Sequence, residues 1–351
     1  DRLANVSRNR PNDNLIDVAP FKETTKGFTL GGPILKDKLF FFASYEELNS
    51  SKAAPDFGPL GSPLTNVGIS PAAISSLQGI ATNTWGIDLG NSDVPAGTSL
   101  SVKDTLLKLD WTISDSHRAN LRYTKTEQSD PIFSNFGTRA LSLSSHWYSQ
   151  DKTVESVVAQ WFADWSSNFS TELKISHRDY ASEPKNASTL PAMAFDFSGT
   201  DNLPTGVSTQ ERTLWVGTER SRHFNQLFTK TLDGYLGATW NLGKHELKFG
   251  ADLSRNEVFN AFLQDANGQY KFQCDDRYAY STPLVNAAGA ATNCAGATRA
   301  TIEAAVIENF RLGRATAYQA QLPLAGKTRM DGAADWNLNR LGLFLQDTVA
   351  V

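Results

Sequence analysis

Apolar and polar residues alternate one by one along much of this chain. In the run from Asp104 to Ser114, Leu107, Leu109, Trp111 and Ile113 share one parity, and Lys108, Asp110, Thr112 and Ser114 share the other. After a turn at 115–117, Ala119, Leu121 and Tyr123 alternate with Asn120, Arg122 and Thr124. Successive strand side chains point to opposite faces. Period-two alternation of this length therefore predicts a hairpin with one apolar and one polar face. The pattern returns in Val157, Ala159, Trp161, Ala163 and Trp165, where Val158 and Phe162 make the opposite face less clean. A turn at 166–168 leads to Thr171, Leu173 and Ile175, set against Glu172, Lys174 and Ser176. It returns again in Leu232, Gly234, Leu236, Ala238 and Trp240, then, past 241–244, in Leu247, Phe249, Ala251 and Leu253 against Glu246, Lys248 and Asp252. An earlier hairpin turns near 33–38, between Phe28, Leu30 and Ile34 and the set Leu39, Phe41, Ala43 and Tyr45. There Phe40 and Phe42 fall on the parity of Ser44 and Glu46. A last strand, Leu341 to Leu345, brings the number to nine.

The connections alternate as strictly as the residues. Turns at 34–38, 115–117, 166–168 and 241–244 are short, whereas the links at about 48–100, 128–152, 180–226 and 258–338 are long. Water-soluble domains rarely carry structureless loops beyond ~15 residues. Membrane barrels carry long loops on one side and short turns on the other. The expected fold class is all-β: an antiparallel transmembrane β-barrel segment with short periplasmic turns and long extracellular loops. Within the loops, Pro71–Ile80 and Thr301–Gly313 have helical spacing, and Gly313 is placed to end the second helix.

Composition removes competitors. No apolar run reaches the ~18 residues a membrane-crossing helix needs, but a barrel strand needs only ~9–11, half of them lumen-facing. Net charge is −4 with both signs interspersed, so a nucleic-acid partner is not expected. The five histidines form no close metal-type pair, and His117 and His245 at turns read as solvated residues. No nucleophile elbow, phosphate loop or dinucleotide fingerprint occurs, so neither an enzyme nor a cofactor is expected. Asp265-Ala-Asn-Gly reads as a turn rather than a calcium loop, and Asp275 with Asp276 as a solvated acidic pair.

Three residue sets are candidates for function. Lys108, Asp110, Arg122, Glu172, Lys174, Glu246, Lys248 and Asp252 fall on the polar parity and would face a lumen. Phe41, Trp111, Trp165 and Trp240 lie close to the short turns, as an interfacial aromatic girdle does. Cys274 and Cys294 share one long loop, where they either close a short disulfide ring or stay as two thiols.

The segment GFTLGGPILKDKLFFFASYEE at 27–47 resembles a signature of TonB-dependent outer-membrane receptors of the OmpA-related, Oar-like group. LLKLDWTISDSHRANLRY at 106–123, HELKFGADLSRN at 245–256 and NRLGLFLQDTVAV at 339–351 are similar to later strands of that group. The resemblance implies a parent with a plug domain and a barrel of roughly 22 strands. In that reading 1–351 is a partial barrel without plug or C-terminal strands, as its odd strand number also leads one to expect. The implied partners are the lipid bilayer, the TonB complex through the plug region, and an extracellular substrate of unknown identity. The implied activity is capture of a scarce substrate by the loops and its import with TonB-derived energy. The alternative is a surface adhesin or assembly barrel whose loops bind protein or polysaccharide. A soluble secreted sandwich is the third reading of the same alternation.

Overall fold

The computed structural model describes residues 22–52, 54–93, 98–199 and 211–350. In chain order its strands and α-helices begin β1 (Glu23–Leu35), β2 (Leu39–Ser51), β3 (Phe57–Gly58), β4 (Thr65–Asn66) and α1 (Pro71–Ile80). They continue β5 (Ser99–Ser114), β6 (His117–Ile132), β7 (Ala140–Ser142), β8 (Tyr148–Ser166), β9 (Phe169–Asn186), β10 (Ala192–Phe197) and β11 (Arg212–Val216). The last are β12 (Phe224–Leu242), β13 (His245–Leu263), β14 (Gln269–Phe272), α2 (Arg299–Arg311), β15 (Ala317–Gln319) and β16 (Ala334–Val349).

Nine long strands form one antiparallel sheet in the order β1-β2-β5-β6-β8-β9-β12-β13-β16. Each strand pairs with its sequence neighbour in the wall, so no crossover is needed. Register carries the alternation across the whole sheet. One row of directly paired residues reads Leu39, Trp111, Ala119, Trp161, Leu173, Leu236, Ala251 and Leu343. The next row but one reads Phe41, Leu109, Leu121, Ala159, Ile175, Gly234, Leu253 and Leu341. Between them, on the other face, runs Phe40, Asp110, Asn120, Gln160, Lys174, Tyr235, Asp252 and Gly342. A slip of one residue anywhere would move a strand's entire apolar set to the polar face, which is why the register is so strongly specified. Among the described residues no second layer covers the apolar face: Leu107, Leu121 and Leu236 are all exposed. That excludes the sandwich.

Strands β5 to β13 of the wall run 16–19 residues, beyond the ~9–11 needed to cross a bilayer. The expected loops are accordingly shorter, at 52–98, 133–147, 187–223 and 264–333. The extra length is held because backbone pairing continues above the apolar band, where the same parity turns charged. Lys125 pairs with Glu127 at 3.0 Å and Arg255 with Glu257 at 2.8 Å.

The loops are not lone helices on structureless chain, as the sequence had led one to expect. Among the described residues they contribute seven further short strands. Five form a mixed sheet, β15-β14-β10-β11-β7, drawing on three different loops. Its side chains, with those of α1 and α2, bury a common core that includes Ile69, Leu77, Leu143, Phe195, Phe197 and Ile302. We refer to this unit as the cap. Helix α1 starts where Ser70 Oγ accepts the Ala73 N–H at 3.0 Å, with Pro71 in the first turn. Helix α2 ends in a Schellman motif: Gly313 at φ 66° donates to Phe310 O, and Arg314 N–H donates to Asn309 O. The helices are tied together by Ser70, whose hydroxyl donates to Glu303 Oε2 at 2.7 Å.

Candidate functional site

Two surfaces carry candidate chemistry: the polar face of the wall, and the cap at the end of the sheet opposite the short turns. On the polar face stand all eight polar candidates, in two separate groups. Lys108, Asp110 and Arg122 lie on β5 and β6, where Lys108 contacts Asp110 at 2.7 Å and sits directly opposite Arg122. Glu172 and Lys174 on β9 and Glu246, Lys248 and Asp252 on β13 flank β12. There Lys248 contacts Glu246 at 3.0 Å, and Gln160 donates to Glu172 at 2.5 Å. Phe40 and Phe42 belong to this face and sit opposite Asp110 and Lys108.

The sequence reading missed the aromatic residues that stand among and beside these charges. Tyr235 of β12 and Phe344 of β16 stack with centroids 6.0 Å apart and planes nearly parallel, at 7°. Arg118 lies over the Phe162 ring at 5.0 Å. A signal for Tyr235 and Phe344 existed: glycine inside a strand marks close approach of another group. Side chains at Gly237 and Gly250 would run into Tyr235 and Phe344 respectively.

On the apolar face, Trp111, Trp165 and Trp240 are 50, 54 and 40% exposed, so their rings point away from the sheet. Trp161 and His117 join Trp165, with ring centroids 5.2 Å (His117–Trp165) and 5.9 Å (Trp161–Trp165) apart, and Phe169 meets Trp240. The aromatic cluster thus includes Trp161, His117 and Phe169 as well. Phe41 lies a row further from the turns than Trp111, opposite Leu109. His117 is not a solvated turn residue. It is half-buried between two indoles, because the short turn folds it back onto the apolar face. His245 is exposed and contacts Asp347 at 2.7 Å.

In the cap, Cys274 and Cys294 are disulfide-bonded. Of the acidic pair beside them, Asp276 is exposed as expected, whereas Asp275 is half-buried. Asp275 is bound by Arg277, whose hydrogen bonds hold its carboxyl below the usual range, and Asp276 accepts the Cys294 N–H at 2.7 Å. Asp265, in the turn after β13, binds the Arg220 guanidinium through both oxygens, at 3.1 and 2.6 Å.

Two buried histidines staple the cap. His146, 1% exposed, places Nδ1 2.8 Å from Gly217 O and Nε2 3.1 Å from the Asn135 amide, and stacks on Trp215. Burial pushes its pKa down to about 4, so it is neutral: Nδ1–H donates to Gly217 and Nε2 accepts from Asn135. His223, also lowered by burial, accepts from Asn267 N–H at Nδ1 and donates from Nε2 to Thr218 O. Both ring nitrogens are engaged in each, so neither is a free base. Asp196 is 5% exposed and meets Lys271 and Thr213. Burial raises its carboxyl, while Glu211, bonded to it and to Lys271, is lowered. No group of three or more His, Cys, Asp or Glu able to hold a metal occurs among the described residues.

The sequence model of the outer membrane beta barrel domain matches residues 5–60 and 58–351. In three dimensions the chain is similar to the outer membrane transporter YddB from Escherichia coli, with a TM-score of 0.50 at 12% identity. That superposition covers 94% of this chain and 32% of the transporter, so the chain spans about a third of the transporter's length. At this identity the likeness concerns the fold. No curated protein matches the chain in sequence.

Proposed function

Because this chain belongs to the outer membrane beta barrel domain family, and so to the bacterial outer membrane, we propose that it forms wall and cap of a TonB-dependent receptor. The cap captures a scarce extracellular substrate, the polar wall face lines its route, and energy from the TonB complex, delivered through a plug, drives import. The eight polar wall residues contact the plug or the water around it. No bond is made or broken in this scheme, so the protein is not an enzyme. One observation carries the reading. The loops share a single buried core stapled by two neutral histidines and a disulfide, so their outer surface is preorganised.

Cells expressing the intact protein, with and without a functional TonB complex, test it. The expected result is that radiolabelled substrate from the native medium binds in both but accumulates only when TonB acts. Accumulation that ignores TonB overturns the energy coupling. Retention of protein or polysaccharide with no accumulation establishes the adhesin instead.

A further inference from the structure

The polar face of the wall carries a feature that neither water nor simple charge solvation requires. Tyr235 and Phe344 lie with their ring planes nearly parallel, close over Gly237 and Gly250 respectively. A Cβ at Gly250 would stand 2.7 Å from the Phe344 ring, and one at Gly237 would strike the Tyr235 phenol. The two glycines leave room for both rings to approach the sheet closely. Phe344 remains 38% exposed.

A hollow opens on each side of this aromatic floor. One, of about 190 Å³, is lined by Tyr235 and Phe344 together with Arg118, Lys248, Asp164 and Glu172. The other, of about 260 Å³, is lined by Tyr235 with Lys174, Arg340, Asp233 and Asp252. Each hollow holds two cations and two carboxylates. The charges balance locally, so an ion of either sign would meet as much repulsion as attraction. A neutral ligand rich in hydroxyls meets both donors and acceptors.

A flat apolar surface with a balanced polar rim matches a pyranose ring, which has an apolar C–H face and a rim of hydroxyls. We propose that Tyr235 and Phe344 form a stacking platform for a neutral oligosaccharide, with the two hollows hydrogen-bonding the hydroxyls of adjacent sugar units. This rests on the reading of the polar face as a transport route, and it names the substrate class for that route.

Calorimetry of the intact protein in detergent, titrated with maltohexaose, cellohexaose and xylohexaose, tests the platform. At least one of these binds. Tyr235→Ala and Phe344→Ala each weaken it by about tenfold or more, whereas Tyr235→Phe stays within about threefold. Heat-modifiable gel migration verifies that each variant is folded. Gly250→Val, which tilts Phe344 without deleting a ring, weakens binding too. Failure of all three sugars to bind, or unchanged binding in folded alanine variants, overturns the proposal. The TonB result is independent of this one. Sugar binding lost in the alanine variants with TonB-independent accumulation would retain the platform and reject the receptor. TonB-dependent accumulation unaffected by the alanine variants would do the reverse.

Discussion

Leu107, Leu121 and Leu236 of the wall are 49, 45 and 54% exposed, whereas Phe195, Leu214 and Ile302 of the cap are wholly buried. The same residue types serve two solvents in one chain. Wall leucines are stabilised by lipid, so a two-dimensional register is all that they need. Cap residues must exclude water, so they need a third dimension: partners on every side, gathered from distant segments. The bond from Ser70 to Glu303 spans 233 residues, whereas each short hairpin turn of the wall joins immediate neighbours. Exposure to water is therefore the wrong measure of the wall and the right one for the cap.

The largest expected effect separates the two. Phe195 packs on Phe272 and Phe310, with ring centroids 5.3 and 5.0 Å away. Phe195→Ala is expected to cost the cap about 3–5 kcal/mol. It should expose 187–199, 211–223 and 264–333 to protease while the wall keeps its heat-modifiable migration. The converse change is Leu121→Arg on the lipid face, at about 2–4 kcal/mol. It should reduce insertion into the outer membrane, whereas Arg122→Leu, one residue along on the polar face, should leave insertion near normal.

Acid sharpens the contrast. Folded His146 titrates at about 4, against about 6.5 when unfolded, so between those values the unfolded chain binds more protons. Its contribution is complete at neutral pH and is lost, by about 3 kcal/mol, as pH falls from about 6.5 toward 4. His223 acts in the same direction. Asp196, raised by burial, acts in the opposite direction, because its folded carboxyl takes up a proton more readily. Protease protection of 133–147 should fall in acid, and less so in an Asn or Gln variant at His146. The smallest effect is Ser70→Ala. Loss of the helix cap and the Glu303 bond should cost about 1 kcal/mol, visible in the thermal melting of the cap and absent from that of the wall.

The wall was legible because its information is local. Leu107, Leu109 and Trp111 declare their face by spacing alone, and Asp115–Ser116 or Gly243–Lys244 declare the turn. The helices of the cap were legible for the same reason, through Pro71 and Gly313. Its sheet was not. β7, β14 and β15 run only three or four residues, too short to show a period, and two of the pairings in that sheet are parallel, joining strands from different loops. His146 and His223 gave no pattern, because burial alone makes them neutral staples. Gly237 and Gly250 signalled a close approach but not which groups make it, since Tyr235 and Phe344 lie 109 residues apart and meet only through the register of β12, β13 and β16.

By itself, then, the sequence determined the nine strands, their two faces and the solvent for which each face is suited, since alternation is a property of the backbone every two residues. Only the tertiary structure decided that the loops share a core, which histidines are neutral, and that two aromatic rings meet over two glycines. Those depend on which distant segments come within a few ångströms, and the energy that selects that arrangement is summed over many contacts rather than encoded in any one stretch.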